Sequence, residues 1–361
     1  MHIGIDGRAV GTIGGIGRYA RELISAVVTG EHEHSFTVFI YTDQPSGWIP
    51  AHARVVALDR GQKKRLPFIW EHCLLSGYIR QHGVDLMHFP NPTAPLNYSQ
   101  PFVATVHDVS IFEHPEWHQP HQFISKRWAV PRTFRRARRL IAVSAAVREG
   151  VKRVFHVPDN RLSVVPNGVN TNIFQAVDRT QTDVTLKKYG IAGKYLLFVG
   201  TPAPYKNLRM IVEIAQRTEY QVVVVGPAGQ SDVSPKGDNG IDNVVYTGVL
   251  PPDSPELVHL YNRAFLLIQP SLYESFGLPI LEALACGTTA IVADIPSLRD
   301  IYHETVLYAS PKKTDDWLRT IKMAEDDPIR ENCLKLSKYL VSAHSWDRIA
   351  EATVRVYEDS V

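Results

Sequence analysis

The chain has 361 residues, 44% apolar and 21% charged, too many for one ordinary core and balanced like a globular protein of two domains. It contains no apolar run of the roughly 18–20 residues that a membrane-spanning helix needs. The opening MHIGIDGRAV lacks the charged, apolar and cleavage regions of an export signal, so a cytoplasmic location is expected. A formal net charge of +2 gives no reason to expect a nucleic-acid partner. Cys73, Cys286 and Cys333 are odd in number, far apart and outside metal-ligand spacing. They are expected as buried thiols in a reducing compartment, not as a disulfide framework.

Short β-branched runs alternate with helix-length amphipathic segments along nearly the whole chain. The first-half strand candidates are HIGI (2–5), FTVFIY (36–41), RVVA (54–57), DLMH (85–88), FVATVH (102–107) and LIAVS (140–144). The second-half candidates are YLLFV (195–199), QVVVV (221–225), NVVY (243–246), FLLIQ (265–269) and TAIVA (289–293). Runs apolar on both faces and separated by helices indicate parallel strands covered on two sides. The expected fold class is therefore α/β, with two successive doubly wound, Rossmann-like sheets. A turn-rich stretch around Pro166, Asn167 and Gly168 separates the two strand series. The final segment SWDRIAEATVRVYEDSV has apolar positions at helical spacing. Open α/β sheets bind ligands beyond the carboxyl ends of their strands, so two such sheets are expected to share a cleft.

The motifs fall in loops after strands. After HIGI comes GRAVGTIGGIGRYARELI, where Gly11, Gly14, Gly15 and Gly17 permit close approach of the backbone to a ligand and a helix follows. Alone this is a weak signal, because glycine-rich turns follow the first strand of many α/β proteins. His107 ends the strand of TVHDVS, a position facing a ligand more often than a random histidine does. KRWAVPRTFRRARRL (126–140) carries seven basic residues interleaved with Trp128 and Phe134. Such a face either docks on an anionic membrane surface or is simply solvated.

In the second half, VGTPAPYKNLRMIVEI places Lys206 before a helix, where its ammonium can neutralise a leaving diphosphate. The loops VGPAG (225–229) and YTGVLPPDSPELVHLY, with Val249 and Leu250, are positioned to line a pocket for a base or to act as plain connections. The most informative string is PSLYESFGLPILEALACG (270–287). Glu274 and Glu282 stand eight apart with Gly277 and Pro279 between them. Pro279 is expected as the first residue of a helix and Glu282 in its first turn. The helix start offers backbone N–H groups and a positive dipole end to a diphosphate, and the glutamates offer acceptors to sugar and ribose hydroxyls. The chain contains no Asp-x-Asp triplet, the usual pair of hard oxygen ligands for a divalent ion. No metal site and no cofactor are expected.

From Gly4 to its C-terminus the chain resembles the GT-B glycosyltransferases, in particular the large retaining family 4. The resemblance rests on GGIGRYARELI, WEHCLL, DLMHFPNPTAP, TVHDVS, VPNGV, LLFVGT with YKNL, YTGVL, SLYESFGLPILEALACG and the terminal SW helix. The glutamate string matches that family's E-x7-E signature and is the most specific of them. The resemblance implies an acceptor-binding domain over 1–170 with 345–361 crossing back to it, and a nucleotide-sugar domain over 171–344. Carried over by position, Glu282 binds the donor ribose, and Glu274 contacts the donor sugar or lies beside its anomeric carbon. Backbone of Phe276, Gly277 and Leu278 approaches the sugar and diphosphate. Lys206 holds the diphosphate, His107 contacts the sugar, and Gly15 faces the phosphates across the cleft. Asn91, in FPNPT, and Arg18 are further candidates for acceptor or phosphate contact. The implied chemistry is same-face attack through an oxocarbenium-like state, with the leaving phosphate taking the acceptor's proton.

One departure is clear: the family usually has an arginine before the lysine, and here the residue is Tyr205. Thr201 likewise stands where some relatives carry another arginine. A tyrosine supplies no guanidinium charge, so Lys206, helix dipoles and Arg18 are left to meet the leaving group. The overall likeness to bacterial polysaccharide and lipopolysaccharide enzymes suggests mannose from GDP-mannose first and glucose from UDP-glucose second, passed to a glycan or lipid-linked acceptor. The competing readings are a nucleotide-sugar epimerase of the same fold and a non-catalytic two-domain sugar-binding protein.

Overall fold

Strand β1 (His2–Asp6) lies between β2 (Ser35–Tyr41) and β4 (Leu86–Phe89), parallel to both, with Ile5 opposite Val38 on one side and His88 on the other. Around it, β3 (Arg54–Leu58), β5 (Phe102–Val106), β6 (Arg139–Ala142) and β7 (Leu162–Val164) complete a seven-stranded parallel sheet of order β3-β2-β1-β4-β5-β6-β7. A second parallel sheet has the order β10-β9-β8-β11-β12-β13. Its strands are β8 (Tyr195–Val199), β9 (Gln221–Val225), β10 (Val244–Gly248), β11 (Leu266–Gln269), β12 (Ala290–Ala293) and β13 (Leu307–Ala309). These sheets are the cores of two units in the computed structural model, which describes residues 1–12, 14–59, 69–227 and 243–361. One unit is Met1–Gly168 with Trp346–Val361, the other Val169–Ser345.

The central strands are apolar on both faces because both faces are covered: every residue of β4, β5, β11 and β12 is buried. Strands β7 and β13 fall outside the expected set. Each is three residues long, too short to show a period, and is held by pairing to β6 and β12 at the sheet edges.

In the first unit the Gly15–Thr29 helix buries Leu23, Ile24, Val27 and Val28 against the sheet. Gly17 makes its entry possible, because a Cβ there would lie 2.3 Å from the Thr12 carbonyl oxygen. The Trp346–Glu358 helix packs on the same core through Trp346, Ile349, Val356 and Tyr357. The chain thus leaves the first unit at Gly168 and returns to it at Trp346. A Cβ on Gly168 would come within 2.7 Å of the Trp346 ring.

Two expectations need correction. Cys286 and Cys333 are buried, but Cys73 is exposed, since its turn points Trp70 inward instead. The basic segment is not one helical face: the Pro120–Arg136 helix ends before Arg139 enters β6. Arg132 and Arg136 donate to the carbonyl of Leu96, and Arg139 to that of Asn160. Trp128 is 73% exposed, whereas Phe134 is buried. Among the described residues no helix is long and apolar enough to cross a membrane.

Candidate active site

In each sheet the strand order reverses once, between β1 and β4 and between β8 and β11. Connections diverge at such a point and leave a crevice beyond the strands' carboxyl ends. The loops after β8 and β11 carry Lys206 and Glu274.

Beyond β8 the chain turns through Thr201, whose carbonyl accepts from the Ala203 N–H at 2.8 Å, and makes one tight turn over Pro204–Lys206. Asn207 then takes the left-handed conformation, φ 58°, and opens the Leu208–Arg217 helix. Its side-chain amide donates to the carbonyls of Pro270 at 3.0 Å and Pro311 at 2.9 Å. The Leu272 N–H donates to the Tyr205 carbonyl at 2.7 Å. These bonds fasten the Lys206 loop to the glutamate loop. Lys206 Nζ donates to Glu274 Oε2 at 2.6 Å, with the two side chains 14% and 11% exposed. Ser271 Oγ donates to the same carboxylate oxygen at 3.2 Å. The Tyr205 ring lies 5.7 Å from the Lys206 ammonium.

Gly277, at φ 82°, opens the Leu278–Ala285 helix, and no side chain caps it. The first-turn N–H groups of such a start are the donors an anion uses. A Cβ on Gly277 would sit 2.7 Å from Ile280 Cδ1. Tyr302, kept protonated by burial and by the nearby charges of Glu274 and Glu282, donates to the Gly277 carbonyl at 2.9 Å. Pro279 is the second helical residue, not the first. Glu282 lies in the second turn, not the first, and is 3% exposed. Buried there, its Oε2 accepts from the Tyr261 hydroxyl at 2.8 Å. Phe276 is buried against Tyr302 and His344. Val249 and Leu250 follow β10 directly, Val249 being half-exposed. Gly226 N–H donates to the Gly248 carbonyl at 3.0 Å, and a Cβ on Gly226 would meet the Gly200 carbonyl oxygen at 2.0 Å. The loop 225–229 lies outside the described residues from 228 onward.

In the first unit Gly15 is the exposed first residue of its helix, and the Arg18 N–H donates to the Gly14 carbonyl at 3.3 Å. Asn91 follows β4, its Oδ1 accepting from the Thr93 N–H and hydroxyl at 3.0 and 2.7 Å. His107 immediately follows β5, with Nε2 3.0 Å from the Pro90 carbonyl oxygen. A carbonyl only accepts, so Nε2 carries the hydrogen and Nδ1 is an acceptor. Burial pushes the His107 pKa down, favouring the neutral ring. The Tyr19 ring meets it edge-on at 4.7 Å. Under this pair lies His88, fully buried, with Nδ1 2.7 Å from the Tyr357 hydroxyl and Nε2 2.9 Å from Thr105 Oγ1. Thr105 Oγ1 is in turn 3.2 Å from the Tyr19 hydroxyl.

His107 and Asn91 line one cavity of about 330 Å³, entirely within the first unit, together with Asp6, Arg8, Glu71 and Asp108. Sequence reasoning singled out none of these four charged residues. Asp6 and Arg8 carry a faint signal, two charges just past an apolar strand, but Glu71 is 63 positions from Arg8. Lys206 and Glu274 share one hydrogen-bonded group in the second unit, with Glu282 in the helix that follows; His107, Gly15, Arg18 and Asn91 belong to the first.

Residues 13–173 match the model for Glycosyltransferase Family 4, and residues 183–341 that for Glycosyl transferases group 1. A D-inositol 3-phosphate glycosyltransferase of Acidothermus cellulolyticus is 30% identical over 338 residues, covering 88% of this chain and 74% of that protein. The chain belongs to this glycosyltransferase family. The glycosyltransferase is also 26% identical over 374 residues to O-antigen chain mannosyltransferase B of Escherichia coli, covering 95% and 96% of the two chains. Anabaena HepE, solved in complex with UDP and glucose, has the same fold at a TM-score of 0.74 and 17% identity, covering 99% and 100% of the chains. The two parallel sheets are thus the Rossmann-like domains of a GT-B glycosyltransferase.

Proposed function

We propose that this glycosyltransferase moves a hexose, mannose before glucose, from GDP-mannose or UDP-glucose to a glycan or lipid-linked acceptor of polysaccharide or cell-envelope synthesis. The sugar keeps its anomeric configuration, and neither a metal ion nor a cofactor takes part. The observation that carries this reading is the Lys206–Glu274 pair beside the uncapped helix start at Gly277. A cation and a row of backbone N–H groups suit a diphosphate leaving group, and the carboxylate suits the hydroxyls of a sugar attached to it. Mannose is placed first because the chain aligns over nearly its whole length with an O-antigen chain mannosyltransferase.

In this reading Lys206 and the first-turn N–H groups hold the diphosphate, and the backbone of Phe276, Gly277 and Leu278 follows the sugar-phosphate link. Glu274 orients the sugar, Glu282 takes the ribose hydroxyls, and Thr201, Val249 and Leu250 border the base. His107, with Nδ1 as acceptor, takes a sugar hydroxyl. Gly15, Arg18 and Asn91 serve the phosphates or the acceptor. Bond breaking develops charge on the leaving phosphate, which then removes the proton of the acceptor hydroxyl on the same face. Trp128, exposed beside Lys126 and Arg127, supports a peripheral contact with an anionic membrane.

The test is incubation with each labelled nucleotide sugar and a mannoside acceptor, with the product's anomeric configuration read by NMR. A retained α-mannoside from GDP-mannose is expected. An inverted product, epimerised donor, or binding without any transfer or donor hydrolysis overturns the reading.

A further inference from the structure

Trp70 and Glu71 take no part in the donor chemistry above; they close around Arg8. Arg8 is buried, and its fork is bidentate on Asp6, Nε to Oδ1 at 2.8 Å and Nη2 to Oδ2 at 2.7 Å. Its Nη1 donates to Glu71 Oε1 at 2.9 Å, and its guanidinium lies 5.5 Å from the Trp70 ring. One nitrogen of the fork after another is thus committed to a carboxylate.

Asp6, Arg8 and Glu71 of this cluster line the 330 Å³ cavity. The charged groups lining it are three carboxylates, Asp6, Glu71 and Asp108, against two cations, Arg8 and Lys126. His107, held toward the neutral form, adds an acceptor and no charge. Ile111 and Phe112 supply an apolar surface on the same cavity. Its volume is at the small end of ligand sites, which run from about 300 to 1,000 Å³, and suits one sugar ring.

We propose that this cavity receives the terminal sugar of the acceptor as an uncharged polyol, and that Glu71 and Asp108 make it reject an acceptor bearing phosphate there. The proposal rests on the reading of the first unit as the acceptor domain. Sugar hydroxyls donate to the carboxylates while a ring face lies on Ile111 and Phe112. A phosphate needs a bidentate arginine or surplus positive charge. Arg8 can turn to it only by stripping the buried Asp6 and the part-exposed Glu71 of their partner, which is strongly unfavourable for the buried Asp6 pair.

The experiment is titration calorimetry of methyl α-mannoside and its 6-phosphate on the full chain, with and without GDP. Glu71→Gln and the surface-lying Asp108→Asn are run beside the wild type, and circular dichroism checks their folding. The wild type is expected to bind the neutral sugar at least ten-fold more tightly than the phosphorylated one. Either variant should narrow that ratio several-fold by gaining affinity for the phosphate, which a merely damaged site would not do. Equal or tighter binding of the phosphorylated sugar by the wild type, no binding of either sugar, or a ratio unmoved in folded variants overturns the proposal. GDP affinity is read in the same titrations: its loss strikes the donor reading alone, because the sugar arms are also run without nucleotide.

Discussion

Lys206 and Glu274 are bonded to each other at 2.6 Å in a largely buried pair, although 68 residues separate them. The cation assigned to the diphosphate and the carboxylate assigned to the sugar are therefore one electrostatic unit. An ammonium has three N–H donors, and Lys206 spends one of them on Glu274. A diphosphate would share the cation with Glu274.

Lys206→Ala is expected to lower turnover by about a hundred-fold or more, ~3–4 kcal/mol, because the contact strengthens as the phosphate leaves. Donor affinity should fall less than turnover. Since the two residues act as a unit, Lys206→Ala with Glu274→Ala should cost little more than the worse single change. Single-turnover rates for the four proteins decide this; additive losses would mean independent roles.

Tyr205→Arg should leave the fold intact, since the Tyr205 backbone carbonyl that accepts from the Leu272 N–H is kept in the variant. A second cation beside the diphosphate is expected to raise slow donor hydrolysis severalfold. Phosphate release without acceptor measures it, and an unchanged or lower rate counts against a charge deficit at this loop.

Glu282→Ala should weaken nucleotide-sugar binding about ten-fold, roughly 1.4 kcal/mol, with turnover at saturation less affected. Tyr261→Phe removes the hydroxyl that donates to Glu282 at 2.8 Å and should show a smaller loss of the same kind. Calorimetric titration with the donor tests both. Unchanged affinity in Glu282→Ala would remove the ribose assignment.

Transfer should persist in excess EDTA. No Asp-x-Asp triplet occurs in the chain, and among the described residues no three His, Cys, Asp or Glu side chains gather as metal ligands. Loss of activity in chelator, restored by magnesium or manganese, would contradict this.

His88 makes stability depend on pH. Burial, with His107 nearby, lowers its pKa to about 3, against an ordinary value near 6.5. As pH falls below about 6.5 the unfolded chain binds the proton first, so stability is complete above that value and is lost progressively toward pH 3. The expected slope is on the order of 1 kcal/mol per pH unit. Melting temperatures across this range should show a shallower acid slope for His88→Gln than for the wild type. Identical slopes would mean that His88 is not the group responsible.

The paired sheets were legible because a run that is apolar on both faces, such as FVATV or YLLFV, has few alternatives to a covered parallel strand. Gly277 and Pro279 likewise marked their turn and helix through constraints each residue carries in itself. Strands β7 and β13 were not legible: three residues show no period, and backbone pairing to β6 and β12 holds them in the sheet. Position in the chain also did not tell that Cys73 faces outward while Trp70 turns in.

Through its local patterns and family strings the sequence by itself determined the fold class, the family, the loops that carry Glu274 and Lys206, and the helix that carries Glu282. The tertiary structure decided which side chains meet. Lys206 reaches Glu274 because the strand order reverses between β8 and β11 and brings two distant loops to one crevice. Arg8 reaches Glu71, and His88 reaches Tyr357 across 269 positions, by the same long-range folding. Hydrogen bonds act over about 3 Å of space, whereas periodicity reports only on neighbours along the chain, so these partnerships leave no mark in the sequence.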